Sequence, residues 1–306
     1  MSRFRRIIRW LPLGTLLSMQ VLVWGTLFSG GMRGVVAWLF LLSVVPLLGV
    51  LSFLGVSVYA AVRRRLSRAV VSTLAASLAA VAPGLWNFGL LTMRYPATIE
   101  ELGPGATVRL PSNETLRVVW GGDRLETNYH ASTPDQRWAY DLLIEPYFVE
   151  SKRLEDFGCY GTQVVAPLAA KVHAVHDGEA DGEPGVLAGD PSKALGNHVV
   201  LEVPQTGFLV LAHLQQGSVQ VKEGEHVEEG QVLGRCGNSG NTREPHIHIH
   251  LQKQDPTRFP VNLAQGLPLF FRGHDGPPMP EGGVREEQGK PVATGAVVRH
   301  VATPRE

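Results

Sequence analysis

Three stretches without a single Asp, Glu, Lys, Arg or His, residues 10–32, 34–62 and 69–93, constrain this chain more than any other feature. An apolar helix crosses the hydrocarbon of a bilayer with about 20 residues, and each run reaches that length in Leu, Val, Ala and Phe. Trp10, Trp24 and Trp86 stand where interface anchors are expected. The first run is too long for the apolar part of a signal peptide and no small-x-small site follows it, so residues 1–93 read as an uncleaved anchor of three transmembrane helices. Arg3, Arg5, Arg6 and Arg9 precede the first run, and Arg63, Arg64, Arg65 and Arg68 separate the second from the third. Only Arg33 lies in the remaining short loop, so both clusters belong in the cytoplasm and the chain beyond residue 94 on the far side of the membrane. With no charge inside the runs there is no intramembrane ion or proton path, which favours anchoring over transport.

The charge changes sign along the chain. Residues 1–99 hold ten Arg and no acid, whereas residues 100–306 hold 18 basic and 28 acidic side chains. The only basic excess lies beside apolar runs rather than on a polar face, which argues against a nucleic-acid partner. After a linker over 94–105, short apolar runs alternate with Gly, Pro, Asn and Asp, the pattern of an all-β domain over 106–271. Strands are expected at 116–120, 139–144, 162–166, 170–175, 198–203, 208–214 and 246–252. The Gly-punctuated segment 218–234 (SVQVKEGEHVEEGQVLG) is similar to the hairpin of biotinyl and lipoyl carrier barrels, but the Met-Lys-Met-like tip of a carrier does not occur. Residues 272–306 begin as a Gly- and Pro-rich connector, with 292–301 as a possible last strand.

All eleven His lie after residue 129, and the densest group is PHIHIH at 245–250. On a strand, His246, His248 and His250 share one face while Ile247 and Ile249 take the other. Such a face suits a metal, because neutral imidazole is a common zinc donor and a catalytic zinc keeps three protein ligands and one open position. A row of solvated strand histidines is the alternative.

The stretch GNSGNTREPHIH at 237–248, preceded by AHL at 212–214 and GTQVVAP at 161–167, resembles the lysostaphin and LytM-type zinc metallopeptidases, which cut peptide cross-links in bacterial peptidoglycan. The resemblance covers roughly residues 125–255. It implies a small antiparallel β barrel or sandwich, one Zn2+ held by His130, Asp141 and His248, and His213 and His246 as a catalytic pair. Ten residues separate His130 from Asp141 where the family usually has three. Asp135 is a rival ligand, but it follows Pro134 in a turn-like stretch whereas Asp141 opens a strand-like run. Joined to the anchor read from the apolar runs and the Arg clusters, the expectation is a multi-pass protein of the bacterial cytoplasmic membrane whose C-terminal domain faces outward and, as the resemblance implies, hydrolyses peptidoglycan peptides. A non-catalytic domain that binds wall peptides or activates another hydrolase, and a lipoyl-like envelope adaptor, are the competing readings. His250 has no role in this scheme and is expected to be solvated, and His173, His176, His198, His226, His274 and His300 are expected at the surface. Cys159 and Cys236 are expected as two packed thiols, with pairing permitted outside the cytoplasm.

Overall fold

The computed structural model describes residues 3–88, 90, 92–187, 189–260 and 262–301. The chain divides into two compact units, Met1–Pro96 and Ala97–Glu306.

The first unit is helical. Helix α1 spans Arg3–Leu27, α2 (Gly31–Val36) runs through a π-turn at Ala37–Leu41 into α3 (Leu42–Arg63), and α4 spans Arg68–Val81. Three stretches, Arg9–Leu27, Gly31–Arg63 and Arg68–Leu85, are long and apolar enough to cross a membrane. Small residues let α3 and α4 approach closely. A Cβ on Gly49 would lie 2.9 Å from the Ser77 carbonyl oxygen, and the Ser77 hydroxyl donates to that of Ser52 at 3.0 Å. Much of the outer surface is large and apolar, with Leu17, Val21, Leu47, Leu51 and Val58 all exposed, a surface that water does not favour. The third apolar run leaves the α-helix earlier than expected, passing into a 3-10 turn at Ala82–Phe88 where Pro83 removes an amide donor. Gly89, Leu91 and the side chain of Trp86 lie outside the described residues.

The second unit is mainly β. A short helix α5 (Ile99–Leu102) opens it, with a capping box between Thr98 and Glu101. The strands are β1 (Ala106–Arg109), β2 (Leu116–Trp120), β3 (Tyr140–Leu143), β4 (Gln163–Val165), β5 (Ala170–His176), β6 (Asn197–Val203), β7 (Gly207–Leu214), β8 (His226–Val227), β9 (Val232–Arg235), β10 (Ile247–Gln252), β11 (Gly266–Leu267), β12 (Leu269–Arg272), β13 (Val284–Glu287), β14 (Lys290–Ala293) and β15 (Val297–Val298). An antiparallel sheet runs in the order β15-β2-β3-β10-β7-β6-β5-β8, with β11 also on β10. Pairs β1-β12, β4-β9 and β13-β14 stand apart from it. The unit is mainly β as expected; no sheet closes among the described residues, so of the expected barrel or sandwich the barrel is not confirmed. The edge strands β15 and β8 of the large sheet are two residues long and pair inward only.

Alternation places the core. Ile247, Ile249 and Leu251 of β10, Leu209 and Leu211 of β7, Val199 and Leu201 of β6, and Tyr140 and Leu142 of β3 bury one face of this sheet. Val164 of β4, Leu233 of β9, Val108 of β1 and Phe271 of β12 fill the same core. Each such side chain contributes about 1.5–3 kcal/mol when fully buried.

Segment 218–234 turns back on itself, the Gln220 amide donating to the Leu233 carbonyl at 2.9 Å, while its two short strands pair with other elements, β8 with β5 and β9 with β4. Two expectations require correction. The expected strand 292–301 is interrupted at Gly295, where a Cβ would lie 2.0 Å from the Val118 carbonyl oxygen. Cys159 and Cys236 form a disulfide, their Cα atoms 5.7 Å apart, within the bridging range. It ties the turn before β4 to the end of β9.

Candidate metal centre

Strand β10 sits between β3 and β7, and its register sets His248 directly opposite Asp141 on one side and Ala212 on the other. Cross-strand partners share a face, so the ring of His248 and the carboxylate of Asp141 meet by construction. His248 Nδ1 lies 2.8 Å from Asp141 Oδ1. His130 arrives from a 3-10 turn at Tyr129–Ser132, capped by the Asn128 side chain, and its Nε2 lies 3.0 Å from Asp141 Oδ2. The ten intervening residues fold into turns that carry the chain from His130 back to β3, while Asp135 points elsewhere and accepts from the Asn262 amide at 2.9 Å.

Bulges aim the other side chains. Leu209, Leu211 and Leu214 of β7 face the main core while Val210 and Ala212 face the opposite side, so the alternation breaks at residue 213. There the backbone adopts φ 61°, a left-handed conformation, beside a register shift in the β6-β7 ladder. The turn brings the His213 ring to the side of His248, with centroids 5.5 Å apart, and to His246 at 4.7 Å. A second shift, in β2 between Val118 and Trp120, sets Trp120 opposite Asp141. His246 Nε2 lies 3.5 Å from Asp141 Oδ1.

Donor atoms of His130, Asp141 and His248 lie within 4.8 Å of one another, as do those of His213, His246 and His248. Backbone carbonyls fix two tautomers. The His213 Nδ1–H donates to the Ser239 carbonyl at 2.9 Å and the His246 Nδ1–H to the Glu244 carbonyl at 2.9 Å. A carbonyl only accepts, so Nε2 is the bare nitrogen of each neutral ring. Burial would raise the Asp141 carboxyl, but His130 and His246 beside it hold it well below the usual carboxylate range. Burial, with His246 and His248 nearby, drives His213 well below the usual histidine value. At His246 burial acts the same way, but the adjacent Asp141 outweighs it and raises the ring. One ionised carboxylate beside imidazole rings that offer a bare nitrogen in their neutral form is a donor set that suits a divalent cation of the zinc type.

The site opens into a cavity of about 260 Å³ lined by His130, His213, His246 and His248 with Tyr129 and Asn262. A second cavity of about 620 Å³ adjoins it through Tyr129, Asn241 and His246, and reaches Trp120, Phe148, Arg243 and Val284. The Tyr129 hydroxyl lies 3.5 Å from Asp141 Oδ2.

His250 departs from expectation. It is 1% exposed, and with Gln252 it extends the row of buried polar side chains behind His248. The period-two row at 246, 248, 250 and 252, against buried Ile247, Ile249 and Leu251, carried that signal. His173, expected at the surface, bridges Glu202 and Asp255 at 3.2 and 2.9 Å.

Residues 158–260 match the profile of Peptidase family M23. The match contains His213, His246 and His248, whereas His130 and Asp141 precede it. Peptidoglycan DD-endopeptidase ShyA of Vibrio cholerae is 28% identical over 132 residues, 42% of this chain and 28% of that protein. Peptidoglycan DD-endopeptidase ShyC of the same organism is 32% identical over 88 residues, 29% of this chain and 18% of that protein. The chain thus spans less than a third of the length of these relatives. Among solved structures, a catalytic domain of the prophage-encoded M23 protein EnpA from Enterococcus faecalis is 21% identical with a TM-score of 0.36, covering 54% of this chain and 95% of that one. Lysostaphin from Staphylococcus simulans is 18% identical with a TM-score of 0.31, covering 53% and 51%. Residues 158–260, about a third of the chain, are thus similar to Peptidase family M23.

Proposed function

We propose that this protein is a zinc metalloendopeptidase that hydrolyses peptide cross-links of bacterial peptidoglycan and is anchored in the cytoplasmic membrane by its three apolar helices. The observation that carries the reading is the convergence of His130, Asp141, His248, His213 and His246, drawn from four separate segments, at one end of an open groove. His130, Asp141 and His248 are the ligand set. A zinc ion held there would supply Lewis acidity that brings the ionisation of water to about pH 7 and polarises a peptide carbonyl. His213 and His246 then act through their bare Nε2 atoms, accepting a proton from the attacking water and returning it to the departing amine. The Ser239 and Glu244 carbonyls keep both rings in that tautomer. An extended peptide would lie along the two adjoining cavities, against Tyr129 and Trp120 on one side and the 241–244 segment on the other. Homology to two peptidoglycan DD-endopeptidases supports the substrate class.

The test uses the full chain in detergent micelles with cross-linked muropeptides. Release of uncross-linked peptides is expected, abolished by a chelator and restored by zinc. His213→Ala should keep zinc and lose cleavage; intact substrate in the presence of zinc-loaded wild type would overturn the reading. The Arg clusters at 3–9 and 63–68 support a cytoplasmic N-terminus and an outward-facing β unit. A C-terminal reporter active only in the cytoplasm would reverse that topology.

A further inference from the structure

Behind His248 lies a line of buried polar groups that the proposed chemistry does not use. His248 Nε2 is 2.9 Å from His250 Nδ1, and His250 Nε2 is 3.0 Å from Gln252 Oε1. Gln252 Nε2 donates to the Gln254 carbonyl at 2.6 Å. His248, His250 and Gln252 are 2%, 1% and 4% exposed, so water has little access to redirect these bonds.

The direction of every proton in this line follows from its far end. The Gln254 carbonyl can only accept, so the amide group of Gln252 facing it is the NH2 and the group facing His250 is the oxygen. That oxygen can only accept, so His250 carries its proton on Nε2. A neutral imidazole has one N–H, which leaves His250 Nδ1 bare, and the proton between the two rings belongs to His248 Nε2. His248 Nδ1 is then bare as well, and it faces Asp141 Oδ1 at 2.8 Å. Two lone pairs at that distance with no proton between them repel unless a cation lies against both.

We propose that His250 and Gln252 are positioning residues that fix the tautomer and ring orientation of His248, so that its Nδ1 lone pair is presented beside Asp141 to the bound cation. This rests on the reading above that the site holds a divalent metal. The residues act through His248 and do not touch substrate. Outer partners of this kind elsewhere change metal affinity by about 10–100-fold when removed, because the unsupported ring divides its time between tautomers and rotations.

The experiment measures zinc affinity of the full chain in micelles by competition with a chromophoric chelator, together with 15N imidazole spectra of the protein labelled at histidine. His250→Leu removes the acceptor for His248 Nε2–H and is expected to weaken zinc binding about 10–100-fold. His250→Gln can offer an amide oxygen to the same proton and is expected to stay within about threefold of wild type on the same basis. Gln252→Leu is expected to weaken binding and to shift the His250 signals away from the Nε2–H tautomer seen in wild type. Unchanged zinc affinity in a folded His250→Leu protein, or a wild-type His250 protonated on Nδ1, overturns the proposal while leaving the metal reading intact. A folded wild type that binds no zinc overturns both.

Discussion

Loss of the Cys159–Cys236 disulfide is expected to destabilise the β unit by about 4.5 kcal/mol without altering the native site. The two residues are 77 apart in sequence, and the chain-entropy relation for a closed loop of that length gives ~4.5 kcal/mol of lost constraint on the unfolded chain. At roughly 2–4 °C per kcal/mol for a unit of this size, the melting temperature should fall by about 10–15 °C. The native geometry near the bridge has other supports: the Cys236 amide donates to the Thr162 carbonyl at 2.8 Å and the Gly161 amide to the Cys236 carbonyl at 2.8 Å. Both sulfurs are buried in the main core, so Ala is the better replacement, since Ser would bury an unpaired hydroxyl. Thermal unfolding followed by near-ultraviolet circular dichroism, on oxidised wild type, reduced wild type and the double Ala variant, separates the contributions. Equal losses in the last two place the effect in the unfolded state; zinc affinity below the transition should be the same in all three. A melting temperature within about 3 °C of wild type after full reduction would refute the chain-entropy reasoning.

Three further outcomes are expected. Burial lifts the Asp135 carboxyl from 3.8 to about 6, so between those values the folded chain binds a proton that the unfolded chain releases. Stability should then fall as pH rises from about 4 to about 6, by up to ~3 kcal/mol. Asp135→Asn should flatten that profile and stabilise the protein at neutral pH in urea titrations; an unchanged slope would contradict the assignment. Gly240 has φ +84°, and a Cβ there would lie 2.4 Å from the Gly196 nitrogen. Gly240→Ala should therefore cost about 1–3 kcal/mol by thermal unfolding and shift the Ser239 carbonyl that holds His213, lowering the rate of muropeptide cleavage more than zinc affinity. Chelation of the metal should lower the melting temperature, since a ligand at 100 times its dissociation constant stabilises the folded state by about 2.7 kcal/mol; a melt indifferent to chelator would contradict a ligand set built into the fold.

The parts of this structure that sequence makes visible are those where a side chain's place depends on its own neighbours. Hydropathy alone locates Arg9–Leu27, Gly31–Arg63 and Arg68–Leu85, because a lipid-length run has few other uses. Alternation alone sets His246, His248 and His250 against Ile247 and Ile249, since β10 is regular. Where the backbone departs from regularity the pattern fails. His213 sits on the His248 side only because its φ is positive and β7 shifts register against β6. Strict alternation from Ala212 would turn it away. His250 lies in the same row, opposite Val210 of β7, a pairing between distant segments. The partners of 218–234 and the approach of Cys159 to Cys236 depend on contacts between distant segments, which no local signal encodes. Asp141 and Asp135 are distinguishable by strand context alone, and the fold sets the first beside His130 and His248 and the second against Asn262.

Zinc stoichiometry tests the central claim most directly. The full chain, stripped with chelator in micelles and dialysed against trace zinc, is expected to return with one tightly held ion per chain, and Asp141→Asn combined with His248→Ala to return with none. A wild-type protein that keeps its native near-ultraviolet spectrum yet emerges free of zinc would contradict the account.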